Sequence, residues 1–197
     1  MSDPSTVMSR RDEILAVSAR LFGQQGYHAV GMRAIADAVG IRGSSLYHHF
    51  PSKADILGAL AYDYVHQFIE EHLPGPDDPR APDEILRALL REQVIFFWHH
   101  REERSVGLRE LKELEPDVYE KVQGERRAYQ RALEALVARG VSEGVFDVDD
   151  PRLSVVAVLG LVQSVNGWFH EDGTMSLEQV ADAYAAMAVD RLFGAKR

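Results

Sequence analysis

Residues 33–50 read RAIADAVGIRGSSLYHHF, two short helical periods separated by a glycine. Ile35, Ala36 and Val39 share one face of the first period, and Leu46 supplies the inward residue of the second. Gly40 stands where the chain must turn, and glycine takes the left-handed conformation without a Cβ penalty. Ala36 is small enough to let two helices approach closely. This is the spacing of a helix-turn-helix. It leaves Ser44, Ser45, Tyr47, His48 and His49 facing outward, all of them hydrogen-bonding types. Two serines near a helix start suit close approach to phosphate or base edges. On spacing alone, the same pattern also fits a plain helical corner with a solvated polar face.

Helix signals recur along the chain, whereas hairpin signals such as Asn-Gly or Asp-Gly between alternating segments do not. A first helix is expected over about 9–25, capped by Ser9, with Ile14, Leu15, Ser18, Ala19 and Phe22 on one face and a stop at Gly26. Short helices follow at 32–39 and 44–49. Ser52 caps a long helix that ends near Leu73, before the polar loop PGPDDPRAP. Further helices are expected over 82–103, over SVGLRELKEL up to Pro116, and over 117–143 with Val118, Val122, Tyr129, Leu133 and Leu136 on one side. Asp149 or Asp150 caps a helix with Pro151 in its first turn that continues to Trp168 or His170. Ser176 and Gln179 form a capping box for a last helix to Phe193. The fold class is therefore all-α, with about nine helices.

Composition narrows the function classes. The chain of 197 residues can bury a proper core, and 46% hydrophobic content is ordinary for a soluble protein. The richest apolar run, LSVVAVLGLVQSV, falls short of a membrane span, and the N-terminus carries no apolar signal region. Cysteine is absent, which removes disulfides, thiolate nucleophiles and Cys-based zinc sites. A cytoplasmic location is expected. The net charge of −9 is uneven, with residues 1–53 at +2 and the remainder at −11. A mildly basic head on an acidic body suits a protein that offers one small surface to DNA. His99 and His100 point apart, His66 and His72 share no helix face, and no His-x-x-x-His occurs, so no metal site is expected.

The run MRAIADAVGIRGSSLYHHFPSKADIL, preceded by LFGQQGYHAVG, resembles the DNA-binding domain of the TetR/AcrR repressors over about residues 10–57. The resemblance implies an all-helical protein with an N-terminal three-helix DNA-binding domain, residues 1–53. It implies a helical ligand-binding and dimerisation domain over 54–197. The second short helix would enter the major groove, with Tyr47 and His48 at backbone or bases and His49 beside them. Arg33 and Lys53 would meet flanking phosphates, Arg42, Gly43 and Ser45 sit where the family varies its base-reading residues, and Ser44 completes the candidate DNA contacts. Phe50 is assigned to packing. Two positions depart from the pattern. The family often has Thr where this chain has Gly31, which can cap a helix but brings no hydroxyl to phosphate. It often has Ser or Thr where this chain has Arg42, and arginine can read guanine.

The C-terminal segments RELKEL.PDVYEKV and GVSEGVFDVDDPRLSVVAVLGLVQSVNGWF are similar to the subgroup that senses acyl-CoA or other CoA thioesters, including regulators of sterol and fatty-acid catabolism. That subgroup often has Trp-Tyr and a Pro/Gly turn where this chain has Trp168, Phe169 and HEDG, and an Arg where this chain has Gly167. Phe96, Phe97 and Trp98 cannot share one helix side, so some aromatic surface must face a neighbour or a cavity. Phe96, Phe97, Arg101, Arg104, Arg109 and Trp168 are the candidate ligand residues, the arginines for a CoA phosphate. The same arginines, with Lys112, could instead pair with Glu102, Glu103, Glu110 and Glu113 on a solvated face. The helix after Pro151 is apolar nearly all round and must be covered on both sides. Leu153, Val156, Leu161 and Val165, with Tyr184 and Met187 of the last helix, are the candidate homodimer interface.

These readings imply a ligand-responsive transcriptional repressor that binds a pseudo-palindromic double-stranded operator as a homodimer and is released by a small apolar effector. Regulation of a drug-efflux gene by an aromatic ligand is an alternative. A helical hydrolase or thioesterase is another, but no Gly-x-Ser-x-Gly, His-Glu-x-x-His or Walker loop is present and no catalytic residue stands out. No cofactor is expected.

Overall fold

A computed structural model describes residues 9–75 and 77–195. The regular structure of the described residues is helical, with no strand. The helices are α1 (Arg10–Gln25), α2 (Met32–Val39), α3 (Gly43–His49), α4 (Lys53–His72), α5 (Pro82–His99), α6 (Arg101–Arg109), α7 (Pro116–Ser142), α8 (Pro151–Ser164) and α9 (Leu177–Met187). They form two compact units. One comprises the residues through Tyr64 with Glu102–Val122, and the other comprises Val65–Arg101 with the residues from Gln123 onward. α4 and α7 contribute residues to both.

The first unit is built on the inward face of α1. Ile14, Leu15, Ser18, Ala19 and Phe22 are all buried there, as their spacing predicts. They meet Ile35, Ala36 and Val39 of α2, Leu46 of α3, and Ile56, Leu57 and Ala61 of α4 in one core that Val106, Leu114 and Val122 complete. Ser9 caps α1 by accepting the Asp12 N–H at 3.1 Å. Asp12 does not return the bond as a capping-box Glu would. Its shorter carboxylate accepts from the Ser9 hydroxyl at 2.6 Å instead. Gly26 ends α1 at φ +85°.

In the second unit α5 lies along α9 and the turn Ala188–Leu192 that follows it, tied by ion pairs from Arg91 to Asp182 of α9 at 2.8 Å and from Arg87 to Asp190 of that turn at 2.6 Å. Val155, Val158 and Val162 of α8 and Val180, Ala181 and Ala185 of α9 are buried. Both halves of the capping box of α9 are made, Ser176 with the Gln179 N–H and Gln179 with the Ser176 N–H. Asp150 caps α8 through the Leu153 N–H at 3.0 Å, with Pro151 opening the helix.

Several expected boundaries shift; the helix expected over SVGLRELKEL is α6 followed by the single turn Leu111–Glu113, and the last helix is regular to Met187 rather than to Phe193. The helix expected over 82–103 is two helices, because His100 leaves the helical range at ψ +25°. Its ring lies against Phe96 with centroids 4.3 Å apart, and Arg101 Nη1 donates to the Trp98 carbonyl at 3.0 Å. Pro116 opens α7 rather than only breaking the helix before it. The helix after Pro151 is regular to Ser164 and then tightens into the single turn Val165–Gly167.

Candidate nucleic-acid interface, effector cavity and dimer face

The α2–α3 corner is closed by backbone bonds. Gly40, at φ +75° and ψ +30°, donates to the Asp37 carbonyl at 3.2 Å, and Ile41 donates to the Ala36 carbonyl at 3.0 Å. This pair of bonds is the Schellman motif, which needs a left-handed residue at Gly40. Arg42 is extended and opens α3, its carbonyl accepting from Ser45 at 2.9 Å and Leu46 at 3.1 Å. Leu46 and Phe50 are buried and set the roll of the short helix. Arg11 stacks over the outer side of Phe50, 5.2 Å from its centroid, while pairing with Asp63 at 2.6 Å.

That roll turns the predicted contact residues outward. Arg42, Gly43, Ser44, Tyr47 and His48 are exposed, and Ser45 and His49 are half-buried. Tyr47 keeps 55% of its surface, a large aromatic left in water. Arg33 on α2 is 96% exposed, with only a long 3.9 Å pairing to Asp37. Gly31 caps α2 in extended backbone and brings no side-chain bond, the departure the sequence suggested.

Lys53 is differently placed. Its ammonium donates to the Tyr27 carbonyl at 2.9 Å and the Val30 carbonyl at 3.0 Å, and lies 4.3 Å from the centroid of the Tyr27 ring. It staples the loop between α1 and α2. These contacts offset the unfavourable placement of a cation at the start of α4. An ammonium has three donors, so one proton remains for a further acceptor. Burial of Tyr27, reinforced by Glu113, Glu110 and Glu115, pushes its phenol pKa up and keeps the ring neutral.

The second unit holds an apolar cavity of about 300 Å³ lined by Leu73, Pro74 and Gly75, Ile85 and Leu89 of α5, and Ala132, Ala135, Leu136 and Arg139 of α7. Arg139 donates to the carbonyls of Asp78 at 3.3 Å and Arg80 at 2.9 Å, which ties the loop after α4 to α7. Hydrogen bonds from Arg80, side chain and backbone, hold the Asp78 carboxyl down to about 2. None of the six predicted ligand residues lines this cavity. Phe96 and Phe97 pack instead on Phe68 of α4, at 5.4 and 5.5 Å, with Tyr129 against the same ring at 5.7 Å. Tyr129 is buried, donates to Gln93 at 3.1 Å, and has its pKa raised by desolvation. Trp98 leaves the other side of α5 for Phe169 and Glu171. Arg101 lies over the Trp98 ring, 4.4 Å from its centroid. Arg104 and Arg109 belong to the first unit, where Arg104 is buried and Arg109 pairs with Glu110 and reaches the Phe22 carbonyl.

Trp168 lies elsewhere. It is 46% exposed, stacked on Tyr184 with centroids 6.1 Å apart, and its indole N–H donates to the Tyr184 hydroxyl at 2.9 Å. Leu153, Val156 and Met187 are exposed in the same unit, and Leu161 is half-buried. This is an apolar helical surface left without cover in the single chain. Val165, expected among these residues, is buried, because it continues the i, i+3, i+7, i+10 face of Val155, Val158 and Val162. It belongs to the protomer core, not to an interface.

The family described as "Bacterial regulatory proteins, tetR family" matches residues 14–60, which span the corner just described. The "Tetracyclin repressor-like, C-terminal domain" matches residues 79–192. The chain belongs to the TetR family. Over 191 residues the TetR chain is 28% identical to the HTH-type transcriptional repressor KstR2 of Mycolicibacterium smegmatis (strain ATCC 700084 / mc(2)155), covering 94% of itself and 92% of that protein. It is similar to the TetR family regulator PfmR of Thermus thermophilus, with 32% identity and a TM-score of 0.77 over 89% of this chain and 96% of the other. AibR, solved in complex with isovaleryl coenzyme A and operator DNA, matches with 27% identity and a TM-score of 0.77 over 95% and 100%.

Within this TetR chain, sequence reasoning missed the cavity residues. It grouped Leu136 with the core side of α7, whereas Leu136 is half-buried and faces the cavity. The available signal was an apolar stripe on α7, from Tyr129 and Leu133 round to Ala132 and Leu136, too wide for one packing partner.

Proposed function

We propose that the chain is a ligand-responsive transcriptional repressor that binds a pseudo-palindromic operator as a homodimer. Its effector is a CoA thioester of lipid catabolism. The observation that carries the reading is the α3 surface: a short helix fixed by Leu46 and Phe50 and a Schellman turn, with Arg42, Ser44, Tyr47 and His48 offered to solvent. Residues 1–53 read DNA, and residues 54–197 bind effector and dimerise. Arg33, Tyr47, His48 and the remaining Lys53 proton hold phosphates, and Arg42, Gly43, Ser44, Ser45 and His49 lie against the groove. The face that exposes Leu153, Val156 and Met187, with the half-buried Leu161 and Tyr184, meets its copy in a partner subunit, with Trp168 at its margin.

The chain acts by binding, in the cytoplasm, and not by catalysis. The acyl part of the effector occupies the apolar cavity between α5 and α7, whose volume is at the lower end of small-molecule sites. Phe96, Phe97 and Arg101 support the helices that frame it. Release follows if the effector binds the DNA-incompetent state more tightly, by the same factor by which DNA weakens effector binding. AibR, seen with both isovaleryl coenzyme A and operator DNA, supports this reading. No described helix is long and apolar enough to cross a membrane.

A shift assay on DNA upstream of the protein's own gene, titrated with salt, tests the reading. Specific complex formation that falls with salt and is reversed by an acyl-CoA is expected. Absence of a specific complex at low salt contradicts it.

A further inference from the structure

On α7, Arg127, Gln130, Arg131 and Glu134 follow the i, i+3, i+4, i+7 pattern of one helix face. With Arg152 of α8 they line a concave notch of about 270 Å³. Three guanidiniums thus border one hollow in a unit that carries 12 Lys/Arg against 18 Asp/Glu. Chance scatter in an acidic unit does not favour that grouping. Arg152 adds a second anomaly. It sits in the first turn of α8, one residue after Pro151, where the helix dipole disfavours a cation. The Asp150 carboxylate already caps that helix start, so an anion bound in the notch is drawn by the Arg152 guanidinium itself. Glu134 is the opposing charge in the notch, and its carboxylate accepts from Gln130 at 2.8 Å.

The apolar cavity lies farther round the same helix and comes nearest the notch at Ala135. Ala135, which lines the cavity, follows Arg131 by one turn, about 6 Å of rise. One molecule with an apolar end and a multiply charged phosphate end can therefore engage both faces of α7.

We infer that Arg127, Arg131 and Arg152 hold the phosphate groups of the effector's coenzyme A, while its acyl chain enters the cavity lined by Ala132, Ala135 and Leu136. This rests on the CoA-thioester reading above. Arginine is the side chain suited to phosphate, because its planar fork donates two parallel bonds. The arginines singled out from sequence for this role, Arg101, Arg104 and Arg109, contact Trp98, lie buried, or pair with Glu110.

The test is calorimetry on the full-length protein. Isovaleryl-, octanoyl- and palmitoyl-CoA are titrated first, and the tightest is compared with its pantetheine thioester, which has the same acyl chain and no phosphate. The wild type is expected to prefer the CoA form by at least tenfold. Arg131→Gln with Arg152→Gln, both exposed positions, should erase that preference while leaving pantetheine-thioester affinity and thermal midpoint unchanged. Glu134→Gln should raise CoA affinity several-fold, because it removes the repelling charge and keeps the amide partner. A double variant that keeps the wild-type preference, or a wild type that binds both thioesters equally, overturns the notch assignment alone. A wild type that binds none of the three CoA thioesters overturns the effector reading and the notch with it.

Discussion

Gly107 of α6 crosses Ala61 of α4 so closely that a Cβ on Gly107 would stand 2.8 Å from the Ala61 Cα and 3.1 Å from the Leu60 carbonyl oxygen. These are backbone atoms and cannot swing aside. Gly107→Ala must push α6 off α4 within the first unit, and overpacking of this kind costs about 1–3 kcal/mol. Chemical denaturation should show that loss. A midpoint equal to the wild type would mean that α6 moves freely.

Gly31 offers the opposite case. Its φ of −104° suits any residue, and nothing lies within 4 Å of the position a Cβ would take. Gly31→Thr should add a capping hydroxyl worth a few tenths of a kcal/mol. It should also tighten DNA binding several-fold by restoring a phosphate donor. Anisotropy titration and a thermal melt read the two effects separately.

Lys53→Met keeps the length of the stem and removes the charge. Two carbonyls, of Tyr27 and Val30, then lose their donor, a loss of about 1–3 kcal/mol. DNA affinity should fall for all sequences alike. If stability is unchanged but affinity falls, the lysine serves phosphate alone and the staple is idle.

Leu153 is 65% exposed and Val156 48%, so neither supports the protomer's own core. Leu153→Glu with Val156→Lys should leave the helical circular dichroism intact and convert the dimer to monomer in sedimentation. Operator affinity should fall steeply, since a pseudo-palindrome needs two linked readers. A persistent dimer would place the interface on another face.

The corner was legible because it depends on local rules. A glycine at the left-handed position, a small Ala36 and an inward Leu46 each have one structural use, and the α2–α3 geometry follows from them. The inward face of α1 was readable for the same reason. The break at His100 was not, because no proline or glycine marks it. The ring of His100 finds Phe96 only once α5 has formed. Val165 was misassigned because a helix apolar on all sides gives no cue to which side a partner covers. The notch was missed since Arg127, Arg131 and Arg152 come together only when α7 meets α8.

The central claim is that the outward face of α3 reads an operator. Fluorescence anisotropy on an operator selected from random DNA, beside a scrambled duplex, tests it most directly. Tyr47→Ala should weaken both duplexes alike, and Arg33→Ala should lower the salt slope by about one. Arg42→Ala should cost about 1–3 kcal/mol of discrimination between the duplexes and change the sequence that selection returns. If all three variants bind both duplexes as the wild type does, the recognition surface lies elsewhere.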